Sequence, residues 1–117
     1  EATTYTDKVL ERLQAEPAFV PPLWFSEFVN VFLKLERQKK LGRGLAKNIF
    51  LESQNLKLAV DRQPVAPELL YNLAKKHSLS AYDATYLELA LRLKIPLATY
   101  DGGLAAVAKR QGLFLKL

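Results

Sequence analysis

The spacing of apolar and polar positions predicts helices that alternate with short apolar strands. Apolar residues recur three and four positions apart in six stretches, which is the period of a helix packed on one side. Four short apolar runs lie between or after them. The predicted helices are about Thr4–Ala15, Leu23–Lys40, Leu45–Gln54, Pro67–His77, Ser80–Lys94 and Asp101–Arg110. The predicted strands are Ala18–Val20, Leu56–Val60, Ile95–Tyr100 and Leu113–Leu117. This alternation indicates an α/β fold with a parallel sheet.

The helix from Leu23 to about Lys40 carries two stripes, and a turn rich in glycine ends it at Leu41–Gly44. We expect one stripe to be buried and the other to be polar. The first contains Phe25, Phe28, Val29 and Phe32, and the second contains Glu27, Asn30, Lys34 and Arg37.

The helix from Ser80 to Lys94 is apolar almost all round, yet it contains Asp83. Thr85, Glu88 and Arg92 follow helical spacing and are predicted to face solvent, which places Asp83 on the opposite, apolar side. A carboxylate there requires a partner. Alternatively, Asp83 closes a capping box with Ser80 as the N-cap. Nearby, Tyr82 and Tyr86 are predicted to be packing residues rather than platforms for stacked bases.

Three acidic residues occupy positions from which they could converge: Glu27, Asp83 and Asp101. Asp101 follows a predicted strand, and ligands bind at the carboxyl edge of open parallel sheets. Clustered carboxylates without cysteine suit Mg²⁺ or Mn²⁺, and metals held this way suit phosphodiester hydrolysis. Each residue also has a simpler explanation, because Asp101 could be an N-cap and Glu27 a first-turn acid that favours the helix dipole.

Composition narrows the setting of this chemistry. The 117 residues suit one domain, and the net charge of +5 is mildly in favour of an anionic partner. There is no cysteine, which fits an intracellular, cytoplasmic location, and no apolar run approaches membrane-spanning length. The chain has no methionine and opens on EATTYTDKVLERL, so we expect that a preceding segment is missing.

The string LSAYDATY at 79–86, followed by PLATYD at 96–101, resembles the signature of PIN-domain ribonucleases. Within that family the chain most resembles the VapC-type toxins of toxin–antitoxin pairs. The stretch VPPL at 20–23, followed by Glu27, Val29 and Asn30, is similar to the family's second motif. The resemblance covers essentially the whole chain, although residues 39–67 match mainly in helix length and polarity.

The resemblance implies a PIN-like three-layer sandwich, in which helices flank a short parallel sheet, and Mg²⁺- or Mn²⁺-dependent endonucleolytic cleavage of RNA. The implied metal-site and catalytic residues are Glu27, Asp83 and Asp101. Thr99 and Asn30 would line the site, and basic side chains would hold RNA phosphates. The basic residues chosen for this role are Arg37, Lys40 and Arg43. The implied partners are a structured RNA such as tRNA, a cognate antitoxin and a second copy of the chain.

The chain departs from the family pattern at its start. The family's first strand ends in an aspartate that anchors the metal, and no segment here corresponds to that strand. We therefore interpret residues 1–117 as a single PIN-like domain truncated at its N-terminus, and expect this chain alone to bind Mn²⁺ weakly or to be inactive.

Two other functions remain open. Leu23–Lys40, the glycine turn and Leu45–Gln54 could form a basic helix-turn-helix that binds duplex DNA. Alternatively, a PIN fold without catalysis could bind RNA or protein. A helix-turn-helix protein would tolerate Asp83→Asn and would bind DNA without metal.

Overall fold

The two strands in the described part of the fold are short because prolines follow one of them directly and polar residues follow the other. The computed structural model describes residues 8, 11–12, 15–39, 42–99 and 102–115. In these ranges, strand β1 is Ala18–Val20 and strand β2 is Leu58–Val60. They pair in parallel, with Phe19 opposite Ala59. Pro21 and Pro22 end β1 because proline has no N–H to continue a ladder. The predicted strand Ala18–Val20 is confirmed, and of the predicted strand Leu56–Val60 the part Leu58–Val60 is confirmed.

Five α-helices complete the described part of the fold. They are α1 Leu23–Arg37, α2 Arg43–Ser53, α3 Pro67–His77, α4 Ala81–Leu93 and α5 Gly102–Arg110. Of the helix predicted over Thr4–Ala15, the described residues 8, 11, 12 and 15 are helical, and the others lie outside the described ranges. No helix in these ranges is long and apolar enough to cross a membrane.

Local chemistry sets the helix ends. Pro67 occupies the first turn of α3, where its missing N–H costs nothing. Ser80 is the N-cap of α4, and its Oγ accepts a hydrogen bond from the Asp83 N–H at 3.1 Å. Lys94 adopts the left-handed conformation that ends α4. The predicted bounds of α3 and α4 are therefore confirmed.

The predicted strands Ile95–Tyr100 and Leu113–Leu117 are wrong as continuous strands, because they meet at a single parallel bridge between Leu97 and Phe114. The Ile95 N–H still donates back to the carbonyl of Ala90 at the end of α4. Pro96 then has no N–H to offer, so a ladder can begin only at Leu97. Residues 100, 101, 116 and 117 lie outside the described ranges.

The core lies between α4 and α5, where Leu87, Leu104 and Val107 are buried together. By contrast, α1 has no buried residue, so the predicted buried stripe on this helix is wrong. Phe25 and Val29 are 43% and 39% exposed. The half-buried members of the stripe instead belong to an aromatic cluster along one side of α1 and α2. It consists of Trp24, Phe25, Phe28, Phe32 and Phe50.

Candidate functional site

A hydrogen bond between two distant parts of the chain defines the candidate site. The Tyr86 hydroxyl on α4 donates to Glu27 Oε1 on α1, across 59 positions of sequence. Glu27 lies early on α1, directly after β1 and its two prolines, so the residue is held near the carboxyl end of that strand. Both side chains are partly buried. The bond therefore ties α1 to the helix that forms the core.

Asp83 lies three residues before Tyr86 on α4, which places both side chains on the same face of that helix. Burial raises the pKa of Tyr86, and the hydrogen bond and negative charge of Glu27 raise it further. The charge of Asp83 adds to this effect. Because a neighbouring negative charge disfavours phenolate, Tyr86 stays protonated and keeps its role as a donor. One neutral phenol is thus flanked by two carboxyl groups.

The donor set of this cluster fits a hard divalent cation. Glu27 and Asp83 offer carboxylate oxygens, the ligands that Mg²⁺ and Mn²⁺ prefer, and the bond from Tyr86 uses only one of the two Glu27 oxygens. Among the described residues, no group of three histidine, cysteine or acidic side chains could hold a metal ion. Asp101, the predicted third member, lies outside those residues.

The other predicted site residues are spread more widely. Asn30 is exposed one turn after Glu27, and Thr99 is partly buried in the segment that follows α4. Arg37 is exposed at the far end of α1, ten residues or about 15 Å along the axis from Glu27. Lys40 and the side chain of Arg43 lie outside the described parts of the structure. In the described fold, Glu27 contacts Tyr86 by a hydrogen bond, and Asp83 acts on Tyr86 through its charge. Arg37 lies apart from both residues.

A second charged cluster contradicts the prediction that Glu88 and Arg92 face solvent. Glu88 is only 7% exposed, and its Oε2 lies 2.8 Å from Nε of Arg92. Nη2 of Arg92 also lies 2.6 Å from Oδ2 of Asp61, which follows β2 directly. The solvent stripe was wrong because helical spacing identifies a polar face without showing what packs on it. The spacing of four between Glu88 and Arg92 was the signal for the ion pair.

The electrostatics of this second cluster indicate a structural role. The hydrogen bond from Arg92 lowers the pKa of Asp61, partial burial opposes that shift, and the positive charge of Arg92 adds to it. The pKa of Arg92 is raised, first by its hydrogen bond to Glu88 and then by its bond to Asp61. Asp61 and Arg92 therefore stay charged near neutral pH. The cation already compensates both carboxylates, which leaves little reason for a metal to bind there.

The packing prediction is wrong for Tyr82 and confirmed for Tyr86, which packs against the core. Tyr82 is 62% exposed and does not pack in the core. Tyr86 does more than pack, because its hydroxyl carries the bond to Glu27. Its position three residues after Asp83 was the available sequence signal.

Comparison with known families decides the fold. The model of the PIN domain matches residues 2–110. The chain belongs to the PIN domain family. This confirms the predicted α/β fold class, here with a parallel pair of strands and five helices in the described residues. The match includes α1 and α2, the two helices of the alternative helix-turn-helix, and assigns them to the PIN domain. Comparison with curated proteins and with solved structures gave no match.

PIN domains are generally nucleases, and they commonly use divalent metal ions. The family therefore supports nucleic acid as the class of substrate for this chain.

Proposed function

We propose that this PIN domain is a Mg²⁺- or Mn²⁺-dependent endoribonuclease, with Glu27 and Asp83 as two of its metal-site residues. The observation that carries the proposal is the meeting of these acids around Tyr86, although they come from separate helices. Acids that merely favour a helix dipole need no such common partner. The proposed third acid is Asp101, which directly precedes Gly102 in the sequence.

A bound divalent ion would activate water and offset the charge of the phosphodiester. The residues of the chain have separate tasks in this proposal. Tyr86 holds Glu27 by one oxygen, Asp83 and Asp101 complete the acidic set, and Thr99 and Asn30 line its border. Because Tyr86 keeps its proton, it restrains Glu27 without adding charge.

The basic residues Arg37, Lys40 and Arg43 are proposed to hold RNA phosphates away from the acidic cluster. The net charge of +5 supports this role, since backbone contacts by Lys and Arg give RNA affinity without reading sequence. We also infer a setting of toxin and antitoxin in the cytoplasm, with a cognate antitoxin and a second copy of the chain as protein partners. The support for this setting is the resemblance of residues 79–101 to VapC-type toxins.

A PIN domain that binds RNA or protein without cleaving it is the second candidate. The observation in its favour is that only two acids, Glu27 and Asp83, gather around Tyr86 within the described ranges.

The test is cleavage of a labelled structured RNA in Mn²⁺ or in EDTA, by the full-length gene product and by its Asp83→Asn variant. We expect metal-dependent cleavage that falls by about a hundredfold or more in the variant, because a ligand is neutralised. Glu68→Gln is the matched control, since Glu68 is an exposed acid on α3, and it should leave cleavage unchanged. Metal-independent cleavage that survives Asp83→Asn would contradict the proposal. Absence of cleavage together with RNA binding would favour the second candidate.

A further inference from the structure

Tyr82 is an exposed aromatic residue in the first turn of α4, directly before Asp83. Within the described part of the chain, neither its ring nor its hydroxyl has a partner, and the side chain is 62% exposed. Tyr86, one turn later on the same helix, is partly buried and bonded to Glu27. The ring of Tyr82 is therefore available to a ligand, whereas that of Tyr86 is not.

The ring lies close to the acids of the candidate site. Tyr82 and Asp83 are consecutive, so their Cα atoms are about 3.8 Å apart. Tyr82 precedes Tyr86 by four residues, which places the two rings on one face of α4, about 6 Å apart along its axis. Because Tyr86 contacts Glu27, a ligand held on Tyr82 lies within about one helical turn of both acids.

The first turn of α4 fixes the backbone that carries this ring. The Oγ of Ser80 accepts a hydrogen bond from the Asp83 N–H at 3.1 Å. The Oγ1 of Thr85 donates to the carbonyl of Ala81 at 2.9 Å. A tyrosine side chain has only two rotatable angles, so a ligand that stacks on Tyr82 costs little conformational entropy.

A basic turn lies next to Tyr82 along the chain. Lys75 and Lys76 are exposed in the last turn of α3, and only residues 78–80 separate that helix from α4. The Nζ of Lys75 lies over the ring of Tyr71 at 5.7 Å, whereas Lys76 has no partner within the described residues. Between residues 63 and 82 the single acid is Glu68, at the other end of α3. Cations that meet phosphates, together with an aromatic ring that meets bases, are the combination that binds single-stranded nucleic acid.

We propose that Tyr82 binds a base of the RNA by stacking, and thereby places the adjoining phosphodiester at the acids around Tyr86. The inference rests on the proposed function, because it takes RNA as the ligand, and it adds a residue that contacts the base rather than the metal. Every base has a π-face, so Tyr82 positions the strand without reading its sequence. Lys76 holds the backbone on the side of α3.

The first test measures how tightly the full-length gene product binds a labelled single-stranded RNA, by fluorescence anisotropy in EDTA, where metal-dependent cleavage does not occur. We expect Tyr82→Ala to weaken binding by about tenfold or more, and Tyr82→Phe to stay within about twofold of the parent because the ring remains. Tyr71→Ala is the matched control, since Tyr71 is 64% exposed on α3, and it should leave the affinity unchanged. A Tyr82→Ala variant that binds as tightly as the parent overturns the proposal, and so does a parent that does not bind the RNA.

Removal of the base instead of the ring identifies what Tyr82 touches. The same RNA is prepared as a series in which one abasic nucleotide moves along the strand. We expect at least one position where loss of the base weakens binding to the parent and has no further effect in Tyr82→Ala, because both changes remove the same contact. Effects that add at every position would mean that the ring acts through the fold, and would overturn stacking.

Binding in EDTA also separates this inference from the proposed function. If the parent binds RNA without cleaving it in Mn²⁺, and the coupling between Tyr82 and one base is present, stacking stands and the nuclease fails. If cleavage requires Mn²⁺ and Asp83 while Tyr82→Ala binds and cleaves like the parent, the nuclease stands and stacking fails.

A second copy of the chain is the competing ligand for the ring. Sedimentation of the parent and of Tyr82→Ala, without RNA, tests for it. Equal sedimentation of the two proteins, together with weaker RNA binding by the variant, supports RNA as the ligand. A variant that loses a dimer present in the parent, and that binds RNA unchanged, would assign Tyr82 to a contact between copies and overturn the proposal.

Discussion

The two helices that supply the candidate site differ in how firmly they are held. Helix α4 contributes Leu87 to the buried core and has five buried residues, whereas α1 has none. Asp83 and Tyr86 thus stand on a well-packed helix, while Glu27 stands on a helix whose apolar side is largely an exposed aromatic cluster. The bond from Tyr86 to Glu27 is a direct polar tie between them. The comparison indicates that the position of Glu27 depends on that tie more than on packing.

The two regions should differ most in the free energy of unfolding that is lost when a leucine is replaced by alanine. Leu87 is fully buried, so Leu87→Ala should reduce the free energy of unfolding by about 3 kcal/mol or more. Leu33 on α1 is an exposed leucine, and Leu33→Ala should cost less than about 1 kcal/mol. Urea unfolding of both variants measures the difference. Equal losses would contradict the division into a packed and a loosely packed region.

The buried ion pair of α4 should give the next largest effect. Glu88→Gln removes a charge that Arg92 needs in a site with little exposure to water, and we expect the melting temperature to fall by a few degrees. Glu68→Gln, on the exposed side of α3, should leave the melting temperature unchanged. A calorimetric scan in which both variants melt like the parent would show that the ion pair does not contribute to the thermal stability of the fold.

The hydrogen bond from Tyr86 to Glu27 is tested by Tyr86→Phe, which removes one hydroxyl and keeps the ring. We expect a loss of about 1 kcal/mol in unfolding free energy, because Glu27 loses its donor. The raised pKa of Tyr86 means that the stability from this bond is present below pH 10 and is lost as pH rises through the folded-state pKa. Ultraviolet titration should therefore show one late-ionising tyrosine that is absent from the variant. A parent protein in which every tyrosine ionises in the range of free tyrosine would contradict the raised pKa of Tyr86.

The smallest expected effect is on acid stability. Because Arg92 lowers the pKa of folded Asp61, this carboxylate stabilises the fold above about pH 4 and ceases to do so as pH falls through its folded-state pKa. Asp61→Asn should lose stability near neutral pH and should show a flatter decline in acid. Stability measured by urea unfolding from pH 7 to pH 2 checks this. A variant with the same decline as the parent would assign the acid sensitivity to other carboxylates.

The sequence predicted those ends of helices and strands that local side chains determine. Ser80 and Pro67 mark helix starts by their side chains, and Pro21 marks the end of β1, so the bounds of these elements could be read directly. The strand expected at Ile95–Tyr100 failed because pairing depends on a distant segment, which meets it only at Leu97. An apolar run shows that a stretch can be buried in a sheet, and does not show that a neighbour lies along all of it.

In the candidate site, too, the sequence predicted the features that depend on local pattern and missed those that depend on distant contacts. Asp83 could be singled out because a carboxylate on an apolar helix face is unusual. The bond that joins Tyr86 to Glu27 spans 59 positions, and no local pattern specifies it. Likewise, the polar stripe of Thr85, Glu88 and Arg92 was visible, while its partner Asp61 on another element was not.

The central claim is that Glu27 and Asp83 belong to one metal site held together by Tyr86. It is tested most directly by titrating Mn²⁺ into isotope-labelled protein and following paramagnetic broadening of the backbone resonances. The account predicts that signals of Glu27, Asp83 and Tyr86 broaden together as Mn²⁺ is added, and that Asp83→Asn abolishes this while Glu68→Gln does not. Broadening that is confined to one helix, or that persists unchanged in Asp83→Asn, would contradict the shared site.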